Sequence, residues 1–475
     1  MSEHAGKEQA PGQAHGSGHH PGPGTAHNST HNPGHNPAHP DEAEKFVAWF
    51  RSVAPYVNLF RGKTFVVAFG GKAIQGGLAG TLAYDVNLLA ALGIRLVLVH
   101  GARPQIEEEL QEKGLPSRYH GRYRITDAAA LDCVIDAVGS VYLELEALLS
   151  QGLPDTPMAN SRIRVIGGNF ITARPVGVIE GVDLQYAGAV RKVDADGIRA
   201  QLGLGNIVLL SCLGTSPTGE SFNLSMEEVA EATAVALNAD KLVFLSDSRG
   251  ATDIDGRLLD ELTVDAAERL VRIGDWLSSD LKRYLPCAVR ASRAGVGRVH
   301  VIGYGEDGTL LRELFSRDGV GTVISRESLD KLRDARPDDI GGLIALIEPL
   351  EEDGTLVRRE RDLLEREIGR FSVVEHDGLI VGCAALYPYG DHQAEMACLA
   401  VHPQYRRWGY GEQLVKRIET RAREAGVKRL FVLTTRTAHW FIERGFAEKT
   451  VDQLPDEKRL VYNLQRRSKV LMKSL

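Results

Sequence analysis

The sequence predicts an α/β protein in which an open, mostly parallel sheet with helices on both faces is followed by a second, α+β domain. Two observations support this prediction. Through roughly the first two thirds of the chain, apolar strands alternate with glycine turns and helical segments, as in sheets whose parallel strands are joined by helical crossovers. Towards the C-terminus the order becomes helix, helix, strands, a basic glycine turn and another helix. The length of 475 residues accommodates two to three domains.

The chain begins with residues 1–40, which are rich in His, Pro, Gly, Asn and Ser. This composition buries too little apolar surface to offset chain entropy, and it predicts a disordered tail. Residues 41–60 follow with apolar side chains at helical spacing, interrupted by Pro55. The apolar face of this amphipathic helix needs a partner, either the core of its own domain or another subunit, and the sequence leaves both open.

The first strand is Thr64–Phe69, which runs into the glycine pair at 70–71. A helix over 83–92 and a strand over 95–99 complete the first repeat. Further strands are predicted at 206–210, 241–245 and 298–302. Because glycines follow several strand ends, we expect a ligand crevice at the carboxyl edge of the sheet.

This region resembles the amino acid kinase fold, in particular acetylglutamate kinase. The resemblance lies in the glycine pair at 70–71 and in the segments 100–106, 167–170 and 313–322. It implies a phosphoryl-contacting lysine two residues before the glycine pair, where this chain has Ala68, and a second near Tyr284. The expected aspartate aligns with Glu227. Because phosphoryl transfer depends on stabilising negative charge, the missing lysines predict a kinase-like fold that binds without phosphorylating.

The polar, charged segment 323–336 is predicted to link a domain over 41–322 to a second domain over 337–475. The second domain begins with Pro and Asp, which suit the first turn of a helix. Its predicted elements are helices at 340–347, 359–368 and 438–444 and strands at 371–374, 379–386 and 429–433.

A strand over 394–401 leads into a basic turn, Arg406 to Gly411, and then into an amphipathic helix. Two closely spaced glycines let the backbone approach an anion, and the helix start supplies N–H donors and positive potential. The pattern resembles the acetyl-CoA-binding turn of the GNAT acetyltransferases, an acetyl-CoA cradle. The expected cofactor-binding residues are Cys398, Leu399, Ala400, Val401, Arg406, Arg407, Trp408, Gly409, Tyr410 and Gly411.

Acetyl transfer to an amine requires a base, and Glu395, on the strand before the cradle, is the main candidate. A structural ion pair is the alternative reading of this carboxylate, and His439 is a competing base. The backbone N–H groups of 398–401 are expected to polarise the thioester. Arginine forks bind carboxylates bidentately, so the arginine pairs at 358–359 and 466–467 could hold a dicarboxylic amino acid. The expected acceptor-binding residues are Arg358, Arg466, Arg467 and Ser468.

A kinase-like domain without kinase lysines, joined to an acetyltransferase domain, resembles the bacterial N-acetylglutamate synthase family over residues 41–475. The segments 395–398, 431–436 and 465–471 carry this resemblance. It implies an amino-acid N-acetyltransferase that makes N-acetyl-L-glutamate and CoA from acetyl-CoA and L-glutamate, the first step of arginine synthesis. It also implies feedback inhibition by L-arginine at Tyr56, Glu313, Gly319 and Gly321, and hexamers assembled through the first helix.

Composition narrows the partners. A net charge of −7 without a basic stripe argues against nucleic acid, and the five scattered cysteines argue against disulfides and thiolate metal sites. No apolar run is long enough to span a membrane, so we expect a cytoplasmic protein. No metal is expected, and the family resemblance implies a homo-oligomer. Two alternatives stay open: residual acetylglutamate kinase activity, and a non-catalytic arginine sensor.

Overall fold

A computed structural model provides the structure. It describes residues 40–475 except 153, 317–318, 328–329, 377 and 407. The predicted disordered tail, up to residue 39, and the predicted cofactor residue Arg407 therefore lie outside the described residues. Residues 53–475 form one compact unit. None of the described helices is long and apolar enough to cross a membrane.

The first part of the chain alternates helices and strands as predicted. In order, the elements are α1 (Pro40–Phe60), β1 (Thr64–Phe69), α2 (Gly71–Gln75), α3 (Leu78–Ala91), β2 (Arg95–His100), α4 (Arg103–Glu112), β3 (Tyr119–His120), β4 (Tyr123–Arg124), α5 (Ala128–Leu149), β5 (Val165–Ile166), β6 (Ile171–Pro175), β7 (Val178–Ile179), β8 (Val182–Asp183), β9 (Gly188–Val193), α6 (Ala195–Gly203), β10 (Ile207–Leu210), β11 (Leu213–Thr215), β12 (Ser221–Asn223), α7 (Met226–Leu237), β13 (Lys241–Ser246), β14 (Glu261–Thr263), α8 (Val264–Ile273), α9 (Ser279–Arg293), β15 (Arg298–Gly303), α10 (Thr309–Phe315) and β16 (Thr322–Ser325).

Eight of these strands form one sheet in the order β14-β16-β15-β13-β1-β2-β10-β5. All neighbouring pairs are parallel except β15 with β16. The central strands consist almost wholly of buried apolar side chains, as parallel strands covered by helices on both faces must. The strand order reverses at β1, which lies between β13 and β2. The carboxyl ends of these three strands therefore flank the crevice that the glycine turns predict.

A smaller four-stranded sheet, β12-β11-β6-β9, and two short hairpins, β3 with β4 and β7 with β8, complete this part of the chain. The expected linker does not run as an irregular segment, because β16 and a further strand, β17 (Asp330–Asp334), occupy much of it. β16 belongs to the eight-stranded sheet, whereas β17 pairs antiparallel with the next strand of the second domain.

The remaining elements follow in the predicted order. They are α11 (Ile340–Glu352), α12 (Arg361–Glu367), β18 (Phe371–His376), β19 (Leu379–Tyr389), β20 (Gln393–Val401), α13 (Tyr410–Glu424), β21 (Arg429–Thr434), α14 (Ala438–Ile442), β22 (Ala447–Lys449), α15 (Asp456–Leu460) and β23 (Lys469–Ser474). Together with β17, the strands form a seven-stranded sheet in the order β17-β18-β19-β20-β21-β23-β22. α13 packs its apolar side chains onto one part of this sheet, and α11 covers another.

Candidate active site

The main cavity of the second domain opens where two parallel strands separate. β20 and β21 pair only from Gln393 opposite Arg429 to Glu395 opposite Phe431. Beyond Glu395 the two strands diverge, and a cavity of about 940 Å³ lies beside them. Because the described ladder with β21 ends there, the backbone N–H and C=O groups of β20 on that side are available to a ligand.

A β-bulge shapes the same stretch of β20. Cys398 has a φ of +53°, and the register with β19 shifts between Cys383 and Ala385. The thiol of Cys383 donates a hydrogen bond of 3.3 Å to the carbonyl oxygen of Cys398. A bulge bends its strand and redirects nearby backbone groups, which is useful next to a ligand. All four predicted backbone donors, residues 398–401, line the cavity.

The cradle, defined as residues 406–411, lies at the adjoining end of α13. Gly409 has a φ of +75° immediately before the helix, a conformation that glycine adopts without strain. Arg406, Gly409 and Gly411 line the cavity. A Cβ atom on Gly411 would lie 3.1 Å from the indole of Trp440, so only glycine leaves this wall open. The 15-residue helix presents its first N–H groups without a side-chain cap, which suits the diphosphate of CoA.

Two predicted cofactor residues of the cradle do not line this cavity. The rings of Trp408 and Tyr410 pack against each other with centroids 6.0 Å apart, and Tyr410 is almost completely buried. Sequence reasoning missed Arg444, which does line the cavity. Its guanidinium lies 3.8 Å from the centroid of the Trp440 ring and donates to the Trp440 carbonyl oxygen at 2.8 Å. This arginine adds a cation to the cavity wall, which also includes Arg406.

Glu395 lies on the cavity wall at the point where the strands separate. It is buried, forms an ion pair of 2.7 Å with Lys458 and accepts a hydrogen bond of 3.3 Å from the Tyr389 hydroxyl. Burial and the neighbouring Glu395 carboxylate raise the pKa of Tyr389. The ion pair that the sequence left as an alternative is therefore present, and the carboxylate still faces the cavity. His439, the competing base, is exposed and is not part of the wall.

The cavity wall also carries further polar groups. The Arg466 guanidinium donates to the carbonyl oxygens of Thr355, at 2.5 Å, and Gly354, at 3.1 Å, and both Arg466 and Ser468 line the wall. Arg358 lines the mouth with a largely exposed side chain. Arg467 has a φ of +49° and is exposed outside the wall. The structure thus brings together three of the four predicted acceptor-binding residues.

Two further cations of the cavity wall were not predicted as site residues. Arg436 pairs with the Asp353 carboxylate at 3.0 Å, and Lys458 is the partner of Glu395. Arg436 belongs to a segment that the sequence analysis associated with the family without assigning it a role. Lys458 lies on the short helix α15, and the sequence provides no local signal that this helix folds back to Glu395.

A second polar group, which we call the Glu313 cluster, consists of Lys241, His300 and Glu313 in the first domain. The Lys241 ammonium lies 3.1 Å from Nε2 of His300, and Nδ1 of His300 lies 2.6 Å from the Glu313 carboxylate. All three side chains are buried. Burial and, after it, the charge of Lys241 lower the pKa of His300 to about 4. Burial also lowers the pKa of Lys241 to about 7.

The predicted effector residues surround this cluster. Burial raises the pKa of Glu313, but hydrogen bonds from His300, Val320 N and Gly321 N outweigh it and leave the net pKa lowered. A Cβ atom on Gly319, whose φ is +56°, would lie 2.8 Å from a Glu313 oxygen. Tyr56 of α1 is connected through an aromatic ring, Phe60, which lies 6.1 Å from Tyr56 and 5.1 Å from the Lys241 ammonium.

Sequence reasoning missed Lys241 and His300, although each interrupts an otherwise apolar strand. That pattern is the available signal, because a charged or titratable side chain in a fully buried strand needs a specific partner. In the crevice of the large sheet, the two positions where the kinase resemblance implies lysines are occupied by other residues, as expected. Ala68 is buried, and the Tyr284 ring stacks on Phe244 with centroids 4.8 Å apart, where the kinase resemblance would place cations.

Comparisons with known proteins agree with this architecture. Residues 63–303 match the amino acid kinase family and residues 339–447 match the acetyltransferase (GNAT) family. The amino-acid acetyltransferase of Ralstonia nicotianae is 54% identical over 435 residues, which cover 91% of this chain and 96% of that protein. The chain belongs to the amino-acid acetyltransferase family. The relative from Azotobacter vinelandii, of the same description, is 53% identical over 432 residues, covering 90% and 99%.

Solved structures agree with membership of the amino-acid acetyltransferase family. N-acetylglutamate synthase from Neisseria gonorrhoeae, complexed with coenzyme A and L-arginine, is 42% identical with a TM-score of 0.80, covering 90% of this chain and 99% of that chain. The same enzyme complexed with coenzyme A and N-acetyl-glutamate is 42% identical, with the same coverage and a TM-score of 0.57. The predicted fold class, the family resemblance and the acyltransferase class of the enzyme are confirmed.

Proposed function

We propose that the chain transfers the acetyl group of acetyl-CoA to the amine of L-glutamate and releases N-acetyl-L-glutamate and CoA, the entry step of arginine synthesis. The observation that carries this proposal is the cavity beside the separated strands, whose wall includes both cradle residues and Arg466. The relatives support the same reaction, because one solved structure of N-acetylglutamate synthase holds coenzyme A with N-acetyl-glutamate.

In this reaction the cradle binds the CoA diphosphate through Arg406 and the first N–H groups of α13. The thioester carbonyl then lies along the bulged part of β20, where N–H groups of residues 398–401 stabilise the negative charge that develops on its oxygen. The glutamate amine forms the new C–N bond while the C–S bond breaks. Glu395 accepts the amine proton, and the CoA thiolate takes up a proton from solvent.

Lys458 affects how Glu395 can act. Its ammonium occupies one side of the carboxylate at 2.7 Å, the distance of a charge-assisted hydrogen bond. The incoming amino group is also a cation before it loses its proton, so it competes with Lys458 for the same carboxylate. The carboxylates of glutamate bind to Arg466 and Ser468 on the cavity wall, with Arg358 at the mouth.

Two neighbouring arginines allow a matched test of the acceptor site. We expect Arg466→Ala to raise the KM for glutamate by about tenfold or more, as the loss of a charged hydrogen-bond donor predicts. Arg467→Ala should stay within about twofold of the unmodified enzyme. Thiol release from acetyl-CoA with glutamate, aspartate or glutamine measures both. Equal effects of the two substitutions, or turnover independent of the acceptor, would contradict the proposal.

We further propose that L-arginine inhibits the enzyme from the Glu313 cluster and the loop that carries Gly319 and Gly321. The buried, ionised Glu313 and the adjacent Tyr56 support this site, because a guanidinium needs a carboxylate and a flat apolar or aromatic neighbour. An arginine titration of thiol release tests it. Inhibition that persists unchanged in Glu313→Gln would move the effector to another site.

The chain is also proposed to act as a cytoplasmic homo-oligomer, with a hexamer expected. The first half of α1 supports assembly, since the side chains of Phe46, Trp49 and Phe50 are each at least 60% exposed. Light scattering after size exclusion should give a smaller particle for the double substitution Phe46→Ser and Phe50→Ser. An unchanged mass would show that α1 does not form the contact.

A further inference from the structure

The carboxylate of Asp330 lies on β17, the edge strand of the seven-stranded sheet, and supports the cradle from outside the cavity. Asp330, the first residue of β17, lies directly opposite His376 of β18 in the antiparallel ladder. Nδ1 of His376 lies 2.6 Å from Oδ1 of Asp330, and the Tyr410 hydroxyl donates to the same oxygen, also at 2.6 Å. One carboxylate oxygen therefore holds the edge of the sheet and the first residue of α13 together.

Tyr410 occupies a sensitive position in the chain. It is 1% exposed and follows Gly409 directly, so its side chain points behind the cradle while the backbone of its neighbours lines the cavity. The Tyr405 ring packs on it with centroids 6.0 Å apart and interplanar angle 30°, and the same ring lies 5.3 Å from His376. The cradle is thus supported by a buried aromatic layer whose polar centre is Asp330.

We propose that Asp330 is a positioning residue for acetyl-CoA, which it affects through Tyr410; the inference rests on the proposed cradle. Backbone N–H groups bind a diphosphate well only when the helix start is held in one orientation, because hydrogen bonds weaken steeply when donor and acceptor are misaligned. Gly409 leaves the backbone free to rotate at this point. The hydrogen bond from the Tyr410 hydroxyl to Asp330 removes that freedom without occupying the cavity.

A second contact connects the same strand and helix. Arg417, two turns further along α13, donates to both carboxylate oxygens of Asp334 at 3.0 and 3.1 Å. Asp334 is the last residue of β17. The helix is therefore attached to both ends of β17, near its first turn by a partly buried contact and further along by an exposed one. Of the two, the Asp330 contact lies nearer the diphosphate-binding turn, so its loss should affect cofactor binding more.

The test uses Tyr410→Phe, which keeps the ring and removes the hydroxyl. We expect the KM for acetyl-CoA, and the Kd for CoA measured by titration calorimetry, to rise about tenfold or more, as expected for a lost hydrogen bond to a charged group. The KM for glutamate and kcat should stay within about twofold. Tyr119→Phe is the matched control, because it removes a 2.9 Å Tyr–carboxylate hydrogen bond, to Glu107, in the other domain. Unchanged cofactor affinity in Tyr410→Phe, or equal losses for both substrates, overturns the proposal.

A double-substitution cycle separates positioning from general destabilisation. Asp330→Ala and Tyr410→Phe should add only in part, because both remove the hydrogen bond from Tyr410 to Asp330, while Asp330→Ala also removes the contact with His376; full additivity would refute the link between Asp330 and Tyr410. Arg406→Ala tests the cradle separately from the role of Asp330. If Arg406→Ala leaves cofactor affinity unchanged, the proposed cradle itself is wrong. If Arg406→Ala weakens cofactor binding and Tyr410→Phe does not, only the role of Asp330 is wrong.

Discussion

Replacing Gly319 with alanine should weaken arginine binding far more than the same replacement at Gly308. Both glycines have left-handed backbones, with φ of +56° and +69°, so an alanine is strained at either position. At Gly308 a Cβ atom has nothing within 4 Å, whereas at Gly319 it would lie 2.8 Å from Glu313 Oε2. Gly308→Ala is therefore a control for backbone strain alone, and Gly319→Ala adds a collision with the Glu313 carboxylate.

The magnitude follows from the contacts of that oxygen. The backbone strain costs about 1–2 kcal/mol at either site. Glu313 Oε2 accepts from Val320 N at 2.7 Å and from Gly321 N at 3.1 Å, and it cannot move away from a new Cβ atom without lengthening them. Hydrogen bonds to charged groups contribute about 1.5–3 kcal/mol. We therefore expect the Kd for arginine to rise by about tenfold or more in Gly319→Ala, and by less than about threefold in Gly308→Ala.

Calorimetric titration with arginine gives the Kd, and thiol release at increasing arginine gives the inhibition curve. Urea unfolding of both variants shows whether each remains folded at the assay temperature. The reasoning fails if the two substitutions weaken arginine binding equally, because the collision with Glu313 would then add nothing. It fails equally if Gly319→Ala destabilises the protein but binds arginine as tightly as before.

Three further outcomes follow. Glu395→Gln should lower kcat by about 10²- to 10⁴-fold, the usual effect of removing a general base, with the Kd for CoA within about twofold; a smaller loss of kcat would assign the proton to another acceptor. Gly411→Val should raise the KM for acetyl-CoA by about tenfold, because its side chain meets Trp440, and unchanged steady-state kinetics would mean that the ring simply moves aside. Stability should fall between pH 6.5 and about 4, because folded His300 with its lowered pKa binds fewer protons there than unfolded histidine. This contribution is on the order of 3 kcal/mol. The difference between the urea midpoints at pH 7 and pH 4.5 should therefore be smaller in His300→Gln than in the unmodified chain.

Elements with strong local patterns could be predicted from the sequence, and elements that depend on distant partners could not. The bounds of β1 are those predicted, because the apolar run over 65–69, between Thr64 and the glycine pair at 70–71, leaves little choice. β17 was expected to be part of a linker, since its residues Asp330–Asp334 are mostly charged. It forms a strand because β18 offers an open edge and because Arg333 finds carboxylates on Asp339 and Glu375. Those partners are invisible in a local pattern.

In the candidate site too, local sequence patterns were predictive, whereas contacts between distant residues were not. Glycine spacing and strand order predicted the cradle, because both depend on backbone conformation close in sequence. The predicted pair at 466–467 illustrates the limit, since only Arg466 faces the cavity. The left-handed backbone of Arg467, which follows a short 3₁₀ turn, directs the two side chains apart. Lys458, on the short helix α15, and Arg444, in the turn after α14, reach the cavity through tertiary packing.

β17, which was not predicted as a strand, also connects the two proposed sites along the chain. The backbone N–H of Gly321 donates to Glu313, and Gly321 leads directly into β16 of the large sheet. Four residues after β16, the chain becomes β17 of the other sheet, where Asp330 holds Tyr410. Because packed sheets resist continuous deformation, we expect a shift at Glu313 that moves β16 to be transmitted towards the Asp330 contact. An effector at the Glu313 cluster therefore has a short covalent route to the orientation of the cradle, which does not require a signal to pass through the cores of both domains.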